Sequence, residues 1–312
     1  SGSIDPKYDY RKLGETWSTP RIVRIKVSGK DKWVAVFGGG YNGAVNPNYG
    51  SAVFVMDLED EGRLLKVIDI EDQANVMHNY VFGTVSNNTQ TEFNLANYGL
   101  TSYDINCCTL KVYGAGSIRY SITGDQTGNT MRNLKLKFDE APPGRITLMV
   151  SKVNKTDIVN SLPADLTVIT ADGTNKANYN GALIYATDLE GKVTKINLTD
   201  KGTLYEKTTL FNSQSTSDNG RYIFTRPEAT INNDNNLWLY FGTGNTQKLQ
   251  EQSSQVQNRL YGIKDVNFPN FVAVNPVGDI SKCKTAPNCP GGSDLGWYVD
   301  LQKAQKLTAE PT

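Results

Sequence analysis

The sequence predicts an all-β protein of the β-propeller class, and the first reason is an internal repeat. Residues 20–57 read as a proline, an apolar strand, a strand that ends in glycines and a strand closed by Asp57, and residues 227–265 repeat this order. A third copy runs over residues 162–192, with Asp188 as the counterpart of Asp57. The second reason is that apolar and polar residues alternate along much of the chain, whereas helical periodicity is nearly absent. Repeated units of several short strands are typical of propeller blades.

The spacing of the copies predicts a modified propeller. A blade usually occupies about 40–45 residues, and Pro20, Pro163 and Pro227, which open the three copies, lie further apart than that. The interval from Pro20 to Pro163 is too long for one blade with its loops. We therefore expect an inserted β-rich module over residues 71–160, where loops that carry function are often found.

The predicted domains follow from this insertion: first blade or blades over residues 1–70, the inserted module over 71–160, and further blades over 161–312. Inside the module, residues 134–138 and 145–150 alternate as strands do, and a Pro-Pro-Gly turn joins them. Because residues 307–312 resemble the opening of a blade, we expect a partial propeller, truncated at this end.

The composition excludes several classes of partner. The 312 residues carry 32 Lys and Arg and 32 Asp and Glu, so the formal net charge is zero. Such a chain has no field that would attract the phosphates of nucleic acid or an anionic membrane surface. No window approaches the roughly 20 apolar residues that a membrane-spanning helix needs. We expect neither a nucleic-acid partner nor a membrane span.

Several phrases in the same order resemble one protein family, the PilC/PilY-type type IV pilus tip adhesins. Residues 13–20, 33–42 and 240–244 look like parts of the carboxy-terminal propeller of that family, and residues 261–263 and 296–301 extend the match. The resemblance covers roughly residues 13–69 and 158–312 and leaves the insertion without a counterpart. It implies an extracellular, non-enzymatic protein at the bacterial surface or pilus tip. Its implied partners are pilins or minor pilins and a host or abiotic surface receptor.

The family often carries a calcium loop before the strand at residues 182–188, and here this loop departs from the pattern. Calcium needs six to eight oxygen ligands, usually with several carboxylates. The candidate ligands in this chain are Asp172, Thr174, Asn175, Asn178 and Asn180. Only Asp172 among them is acidic, and Lys176 opposes a cation. The favoured interpretation of this loop is therefore a turn rich in Asn and Gly. The alternative is a calcium site, and calcium is the one cofactor that the sequence suggests.

The four cysteines predict disulfides. Cys283 and Cys289 bound a short loop that contains a proline, which favours a local bridge, and the adjacent Cys107 and Cys108 then form a vicinal bridge. Three connectivities remain open for four cysteines. A zinc site is not expected, because paired C-x-x-C arms are absent.

Aromatic residues suggest where a partner binds. Tyr41, Asn42, Asn46 and Tyr49 lie in a polar stretch that follows a glycine-ended strand, and we expect an exposed contact loop there. The four tryptophans fall in or beside blade strands, which favours burial between blades. They are Trp17, Trp33, Trp238 and Trp297.

Two alternative functions remain. Quinone-dependent dehydrogenases are propellers of similar type, and some place an adjacent-cysteine disulfide against the quinone. Against this, Cys107 and Cys108 lie in the insertion, and no cluster of Glu, Asn and Asp has a spacing that would hold a calcium ion and a base. The single histidine, His78, has no nucleophile motif nearby. The second alternative is a purely structural pilus subunit whose open sheet edge pairs with a pilin or another copy.

Overall fold

The computed structural model shows an all-β protein, which confirms the predicted fold class. It describes residues 5–41, 50–70, 76–82, 89–105, 108–113, 118–142, 146–152, 160–170, 178–216, 218–250, 252–253, 255–274, 280–282 and 295–311. The described helices are two 3-10 turns, Pro6–Tyr8 and Leu95–Tyr98. Within these ranges no helix has the length and apolar character needed to cross a bilayer.

The chain divides into two compact units. Ser1–Glu71 and Thr156–Thr312 form the first, which we call the blade unit, and Asp72–Lys155 form the second, which we call the inserted unit. Each unit has its own apolar core among the described residues.

The described part of the blade unit contains three sheets, and each is built on four antiparallel strands in the manner of a propeller blade. Blade 1 consists of β1 (Arg21–Val27), β2 (Lys30–Gly38), β3 (Ala52–Asp57) and β4 (Leu64–Asp69). Blade 2 consists of β12 (Thr167–Thr170), β13 (Ala182–Thr187), β14 (Lys192–Asn197) and β15 (Lys207–Asn212). Blade 3 consists of β16 (Glu228–Ile231), β17 (Leu237–Gly242), β18 (Arg259–Asp265), β20 (Gly296–Asp300) and the short β19 (Ser281–Lys282), which pairs parallel to β20.

Turn chemistry and alternation explain the first hairpin. Ser28 and Gly29 both adopt positive φ, 50° and 81°, between paired Val27 and Lys30. A two-residue turn with both φ positive matches the right-handed twist of the strands it joins. Along β1, Val23 and Ile25 are buried while Ile22, Arg24 and Lys26 are exposed, so one face of the blade enters the core.

Blade 2 is packed on both faces. All six residues of β13 are buried, and successive residues point to opposite sides of the sheet. Ile184 and Ala186 join the core that includes Val34 and Val36 of blade 1. Leu183 and Tyr185 join the core that blade 3 supplies. The three blades therefore stack in the order 1, 2, 3.

A buried ion pair connects blades 2 and 3. Lys195 Nζ lies 2.6 Å from Asp265 Oδ2, and both side chains are 1% exposed. The Tyr185 hydroxyl donates to the same carboxylate oxygen at 2.7 Å, and Lys195 also donates to the Asn270 carbonyl. Burial lowers the pKa of Lys195 although Asp265 opposes this, and burial together with Asp265 raises the pKa of Tyr185 well above its usual value.

The predicted equivalence of Asp188 with Asp57 is wrong by one strand. Asp188 follows β13, the second strand of its blade, whereas Asp57 and Asp265 end the third strands of theirs. Asn197 ends the third strand of blade 2. The three true counterparts accept a hydrogen bond from the backbone N–H two residues further on: Asp57 from Glu59, Asn197 from Thr199 and Asp265 from Asn267.

The segment that opens a blade packs on the glycine end of the preceding one. Leu162, which opens blade 2, forms a bridge with Gly40 and lies 3.4 Å from the Cβ position of Gly38. Leu307 lies in the same way on Gly242, where a Cβ atom would come within 2.2 Å of the leucine. The Leu307 backbone N–H donates to the carbonyl of Thr243 at 3.0 Å.

The inserted unit contains two sheets. One has the order β5 (Val76–Phe82), β11 (Ile146–Lys152), β8 (Cys108–Tyr113). In the other, β10 (Thr130–Phe138) pairs with β6 (Glu92–Asn94), β7 (Ser102–Asp104) and β9 (Tyr120–Thr127). Leu134, Leu136 and Phe138 are buried while Lys135 and Lys137 are exposed, as the alternation predicts.

Candidate functional site

Tyr41 is held at the glycine-rich end of β2. Its backbone N–H and carbonyl both pair with Glu15, at 2.9 and 2.7 Å. Gly40 adopts a φ of +90°, and a Cβ atom there would come within 2.4 Å of the Glu15 carbonyl oxygen. The glycine therefore lets two backbones approach closely, and this fixes the direction in which Tyr41 leaves the strand.

The side chain of Tyr41 meets the loop that follows the equivalent strand of blade 3. Its hydroxyl donates to Gln247 Oε1 at 2.7 Å, and its ring stacks on Phe224 with centroids 6.3 Å apart. Gln247 belongs to a turn in which the Asn245 side chain accepts from the Gln247 backbone N–H at 2.9 Å. The glycine ends of β2 and β17 thus bring two loops of different blades together.

Exposed and basic groups surround this contact. Leu249 is 66% exposed, and Lys306 donates to the backbone carbonyls of Asn245 and Lys248. We call the surface formed by Tyr41, Phe224, Gln247, Lys248, Leu249 and Lys306 the loop surface.

A small recess adjoins the loop surface. Its lining includes Tyr222, Asn245, Lys248, Asn258 and Lys306, and its volume is about 20 Å³. This is room for about one water-sized molecule, so the recess holds the edge of a ligand and not a whole one. Burial and then the Asp218 charge raise the pKa of Tyr222, which keeps its phenol a neutral hydrogen-bonding group at physiological pH. The arrangement suits contact with a larger partner through one aromatic ring, one leucine and amide and ammonium groups.

The predicted contact loop is placed in part. Tyr41 lies in the loop surface, while Asn42, Asn46 and Tyr49 fall outside the described residues. Gln247 and Leu249 were missed, because a run rich in Gln and Ser carries no recognised binding motif. The signal that could have found them is that they lie three and five residues after Gly244, in the stretch that corresponds to the one after Gly40.

The prediction of tryptophan burial between blades is wrong at two positions. Trp17 is 83% exposed and Trp33 is 50% exposed. Trp33 lies on the face of blade 1 that points away from blade 2, because Val34 and Val36 occupy the other face. Trp238 is 6% exposed, and Trp297 is half-buried over Gly262.

Two of the five predicted calcium ligands are described. Asn178 is exposed, and Asn180 is tied to Asp200, whose two carboxylate oxygens accept from the Asn180 backbone N–H and side-chain amide at 3.0 Å each. Asp172, Thr174 and Asn175 fall outside the described residues. Burial alone would raise the pKa of Asp200, but the hydrogen bonds from Asn180 outweigh it and lower that pKa.

Asp200 is a carboxylate that sequence reasoning did not connect with this loop. It lies 20 positions beyond Asn180 along the chain, on the turn between β14 and β15, and hairpin pairing brings the two together. It supplies negative charge beside Asn180, one of five candidate ligands among which Asp172 is the one acidic residue. Among the described residues, no group of three or more His, Cys, Asp and Glu side chains could hold a metal ion.

The predicted disulfides are not placed. Cys107, Cys283 and Cys289 fall outside the described residues, and Cys108 is described only as the first backbone position of β8. The bridges Cys283–Cys289 and Cys107–Cys108 stay predictions.

The buried carboxylate with the most perturbed acidity lies away from the loop surface. Asp188 is fully buried, and its Oδ1 accepts from the Lys192 backbone N–H at 3.0 Å. Lys192 Nζ lies 2.8 Å from Glu190 but 3.8 Å from Asp188, so the second carboxylate oxygen has no hydrogen-bond donor among the described residues. Burial raises the pKa of Asp188 to about 7. Because no part of it reaches the surface, it cannot touch a substrate in this conformation.

Comparison with known proteins gives one solved structure to report. The chain is similar to the C-terminal domain of PilY1 from Pseudomonas aeruginosa, with a TM-score of 0.34 and 14% sequence identity. The alignment covers 93% of this chain and 63% of that one, so the chain spans about 63% of the length of its structural neighbour. No protein-family model and no curated protein matches the sequence.

Proposed function

We propose that this chain is a type IV pilus-associated tip adhesin or assembly factor, extracellular and non-enzymatic, which binds pilins or a host or abiotic surface. The phrases at residues 13–20, 33–42 and 240–244 support the pilus assignment by their resemblance to the PilC/PilY-type family. The observation that carries the binding role is the loop surface. There Tyr41 and Gln247, from two different blades, meet beside the exposed Leu249.

The chemistry of the loop surface supports binding and not catalysis. Aromatic side chains such as Tyr are enriched among the residues that contribute most at protein interfaces. The ammonium groups of Lys248 and Lys306 lie beside it, and their donors can pair with carbonyl oxygens of a partner. A ring such as that of Tyr41 also gives a sugar or a polymer surface a flat apolar contact.

Calcium modulation is the second element of the proposal. Asp200 supports it, because this carboxylate lies within hydrogen-bonding distance of Asn180, one of the candidate ligands. A cation bound only by the folded state must raise its stability by mass action. The quinone-dependent dehydrogenase and the purely structural subunit stay alternative hypotheses.

The binding role is tested with the purified chain on immobilised minor pilins and on glass or polystyrene, measured by quartz-crystal microbalance. We expect Tyr41→Ala combined with Leu249→Ser to reduce binding at least tenfold, since Leu249 supplies exposed apolar area and Tyr41 holds the two loops together. The matched control is Ile231→Ser, because Ile231 is also exposed but lies at the far end of β16. Equal binding by the loop-surface variant and the control would refute the assignment of this surface.

The calcium element is tested separately by melting the chain in excess calcium and in chelator. A saturable rise in melting temperature that Asp200→Asn abolishes supports the proposal. The same melting temperature in both conditions, with no heat on calorimetric titration, contradicts it.

A further inference from the structure

A lysine, an aspartate and a tyrosine meet in the interior between blades 2 and 3. Lys195 on β14 and Tyr185 on β13 are paired directly across the sheet, so their side chains leave the same face of blade 2. That face packs on blade 3, where Asp265 ends β18. Lys195 and Asp265 are each 1% exposed, and the rings of Phe268 and Phe271 pack against the same core. Bulk water is therefore excluded from the three polar groups.

The amine nitrogen of Lys195 lies close to the carboxyl carbon of Asp265. Nζ is 2.6 Å from Oδ2. Because a carbon–oxygen bond of about 1.2 Å joins Oδ2 to Cγ, Nζ lies at most about 3.8 Å from Cγ. Groups held about 3–3.5 Å apart are in the geometry of attack, which requires at most a small movement of the side chain here. The Asn270 carbonyl accepts from Nζ at 2.8 Å and holds the nitrogen in place.

Burial shifts this pair towards the neutral forms that a condensation requires. An ammonium group has no lone pair with which to attack a carbon atom, whereas an amine has one. Burial lowers the pKa of Lys195, although Asp265 opposes this. Without water, an amine and a carboxylic acid become more favourable relative to two separate charges. Transfer of one proton from Nζ to Oδ2 produces these forms and leaves the net charge of the pair at zero.

The two carboxylate oxygens of Asp265 have different hydrogen-bond donors, and each donor suits a different part of the reaction. Oδ1 accepts from the backbone N–H of Asn267 at 3.1 Å, and this donor stabilises the negative charge that develops on Oδ1 during attack. Oδ2 accepts from the Tyr185 hydroxyl at 2.7 Å. Burial together with Asp265 raises the pKa of Tyr185, so the hydroxyl keeps its proton until Oδ2 leaves and takes it. Nucleophile, oxyanion donor and general acid thus surround one carboxyl group.

We propose that Lys195 and Asp265 condense to an amide that joins blades 2 and 3 covalently. The Nζ lone pair attacks Cγ, and the bond between Cγ and Oδ2 breaks. Oδ2 leaves as water with the proton from Nζ and a second proton from Tyr185, which regains one from the nitrogen. One water molecule is released, and no oxidant, reductant or cofactor is consumed.

The ion pair is the reactant of this step. A newly folded chain therefore contains the pair, and the cross-linked chain accumulates from it. The amide would hold the two blades together under force or denaturant, because their separation would then require the breaking of a covalent bond. This inference does not depend on the proposed pilus function.

A second buried aspartate provides an internal control. Lys32 Nζ lies 2.5 Å from Asp57 Oδ2, and Asp57 Oδ1 accepts from the backbone N–H of Glu59 at 3.0 Å. The Lys32 side chain is 26% exposed, so water stabilises its charged form. Within the part of the chain that the structure describes, no hydroxyl group donates to Asp57. We therefore expect this pair to stay an ion pair.

The experiment is mass spectrometry of the full chain after reduction and denaturation, which removes disulfides and non-covalent contacts. We expect the wild-type mass to lie below the sequence mass by one water molecule. Trypsin should fail to cleave after Lys195 and should release residues 193–201 joined to residues 265–282, whereas cleavage after Lys32 should proceed. Fragmentation of the joined peptides then locates the bond.

Tyr185→Phe tests the proposed chemistry, because it keeps both reacting groups and removes the general acid. The cross-linked fraction should accumulate at least roughly tenfold more slowly in this variant. Tyr205→Phe is the matched control, since it removes a buried hydroxyl that has no hydrogen-bond partner among the described residues, and its rate should equal that of wild type. Circular dichroism establishes that both variants are folded.

Two results would overturn the proposal. The first is a wild-type chain that keeps its full sequence mass after prolonged incubation just below its melting transition. The second is a loss of water that fragmentation places anywhere other than between Lys195 and Asp265. Equal rates of accumulation in Tyr185→Phe and Tyr205→Phe would refute the role of Tyr185 as the general acid.

Discussion

Removing one partner of the buried Lys195–Asp265 pair should destabilise the blade unit strongly. Asp265→Ala leaves the Lys195 ammonium group in a site where it is 1% exposed, with the Asn270 carbonyl as its remaining described acceptor. The same change takes the hydrogen-bond acceptor from the Tyr185 hydroxyl. Breaking a buried pair in this way costs about 3–5 kcal/mol. At about 2–4 °C per kcal/mol for a unit of this size, the melting temperature should fall by roughly 6–20 °C.

The assay is urea unfolding followed by tryptophan fluorescence, with melting by calorimetry. The double variant Lys195→Met with Asp265→Leu should recover most of the loss, because apolar side chains of similar volume avoid the cost of burying charge. Arg63→Met is the control, since its pair with Asp60 is 34% and 46% exposed and should contribute at most about 1 kcal/mol. If Asp265→Ala costs less than the control, or if the double variant is no more stable than the single one, the reasoning about this pair is wrong.

Three further predictions concern single residues. Because burial holds the pKa of Asp188 at about 7 in the folded state against 3.8 for the free side chain, the folded protein keeps this proton and loses stability as pH rises from about 4 to 7. Asp188→Asn should remove this pH dependence of the free energy of unfolding, which amounts to up to about 4 kcal/mol. Urea unfolding of both proteins at pH 5 and pH 8 measures it, and an equal change in unfolding free energy between the two pH values in wild type and variant would contradict the prediction. Gly262→Ala should force the Trp297 ring away from the sheet and lower the free energy of unfolding by about 1–3 kcal/mol. The tryptophan fluorescence maximum should then shift to the red, and an unchanged emission spectrum would refute the contact. Tyr185→Phe removes one hydrogen bond to a charged group but leaves the ion pair, so it should cost about 1.5–3 kcal/mol, less than Asp265→Ala in the same urea series.

Local patterns were sufficient to predict the fold class and several individual strands. Two kinds of local pattern identified strands: apolar runs that end in glycine, at Gly38 and Gly242, and alternation of apolar and polar residues around Leu134. Both identify a strand because side chains alternate between its two faces, so burial on one face or on both leaves a recognisable pattern in the sequence. The register of the middle copy was not predicted, because Asp188 follows the apolar strand β13, whereas Asn197 ends β14, which contains two lysines and lacks the apolar pattern of the third strands in the other copies. Only the pairing of the strands reveals which strand is third. Asn in place of Asp at this position conceals the repeat, although its oxygen accepts the same backbone hydrogen bond.

The candidate site was predictable only where its residues are close in sequence to a strand-end signal. Tyr41 follows Gly40 directly and was named as a candidate from the sequence. Its partners Gln247 and Phe224 come from other parts of the chain, and no local pattern records a contact over 206 positions. The exposure of Trp33 depends on which face of blade 1 meets blade 2, which is a property of the stack and not of the strand that carries the residue.

The burial of β13 on both faces makes this strand intolerant of insertions and deletions. A shift of one residue in its pairing would exchange its two faces. The aromatic Tyr185 would then enter the aliphatic core shared with Val34, and its hydroxyl would lose Asp265. Additional sequence is tolerated where no such exchange follows, and the 84 residues of Asp72–Lys155 form a compact unit between blades 1 and 2 in the chain. Additional sequence is therefore expected in the connections between strands, such as the one from β18 to β20 within blade 3, and not inside β13.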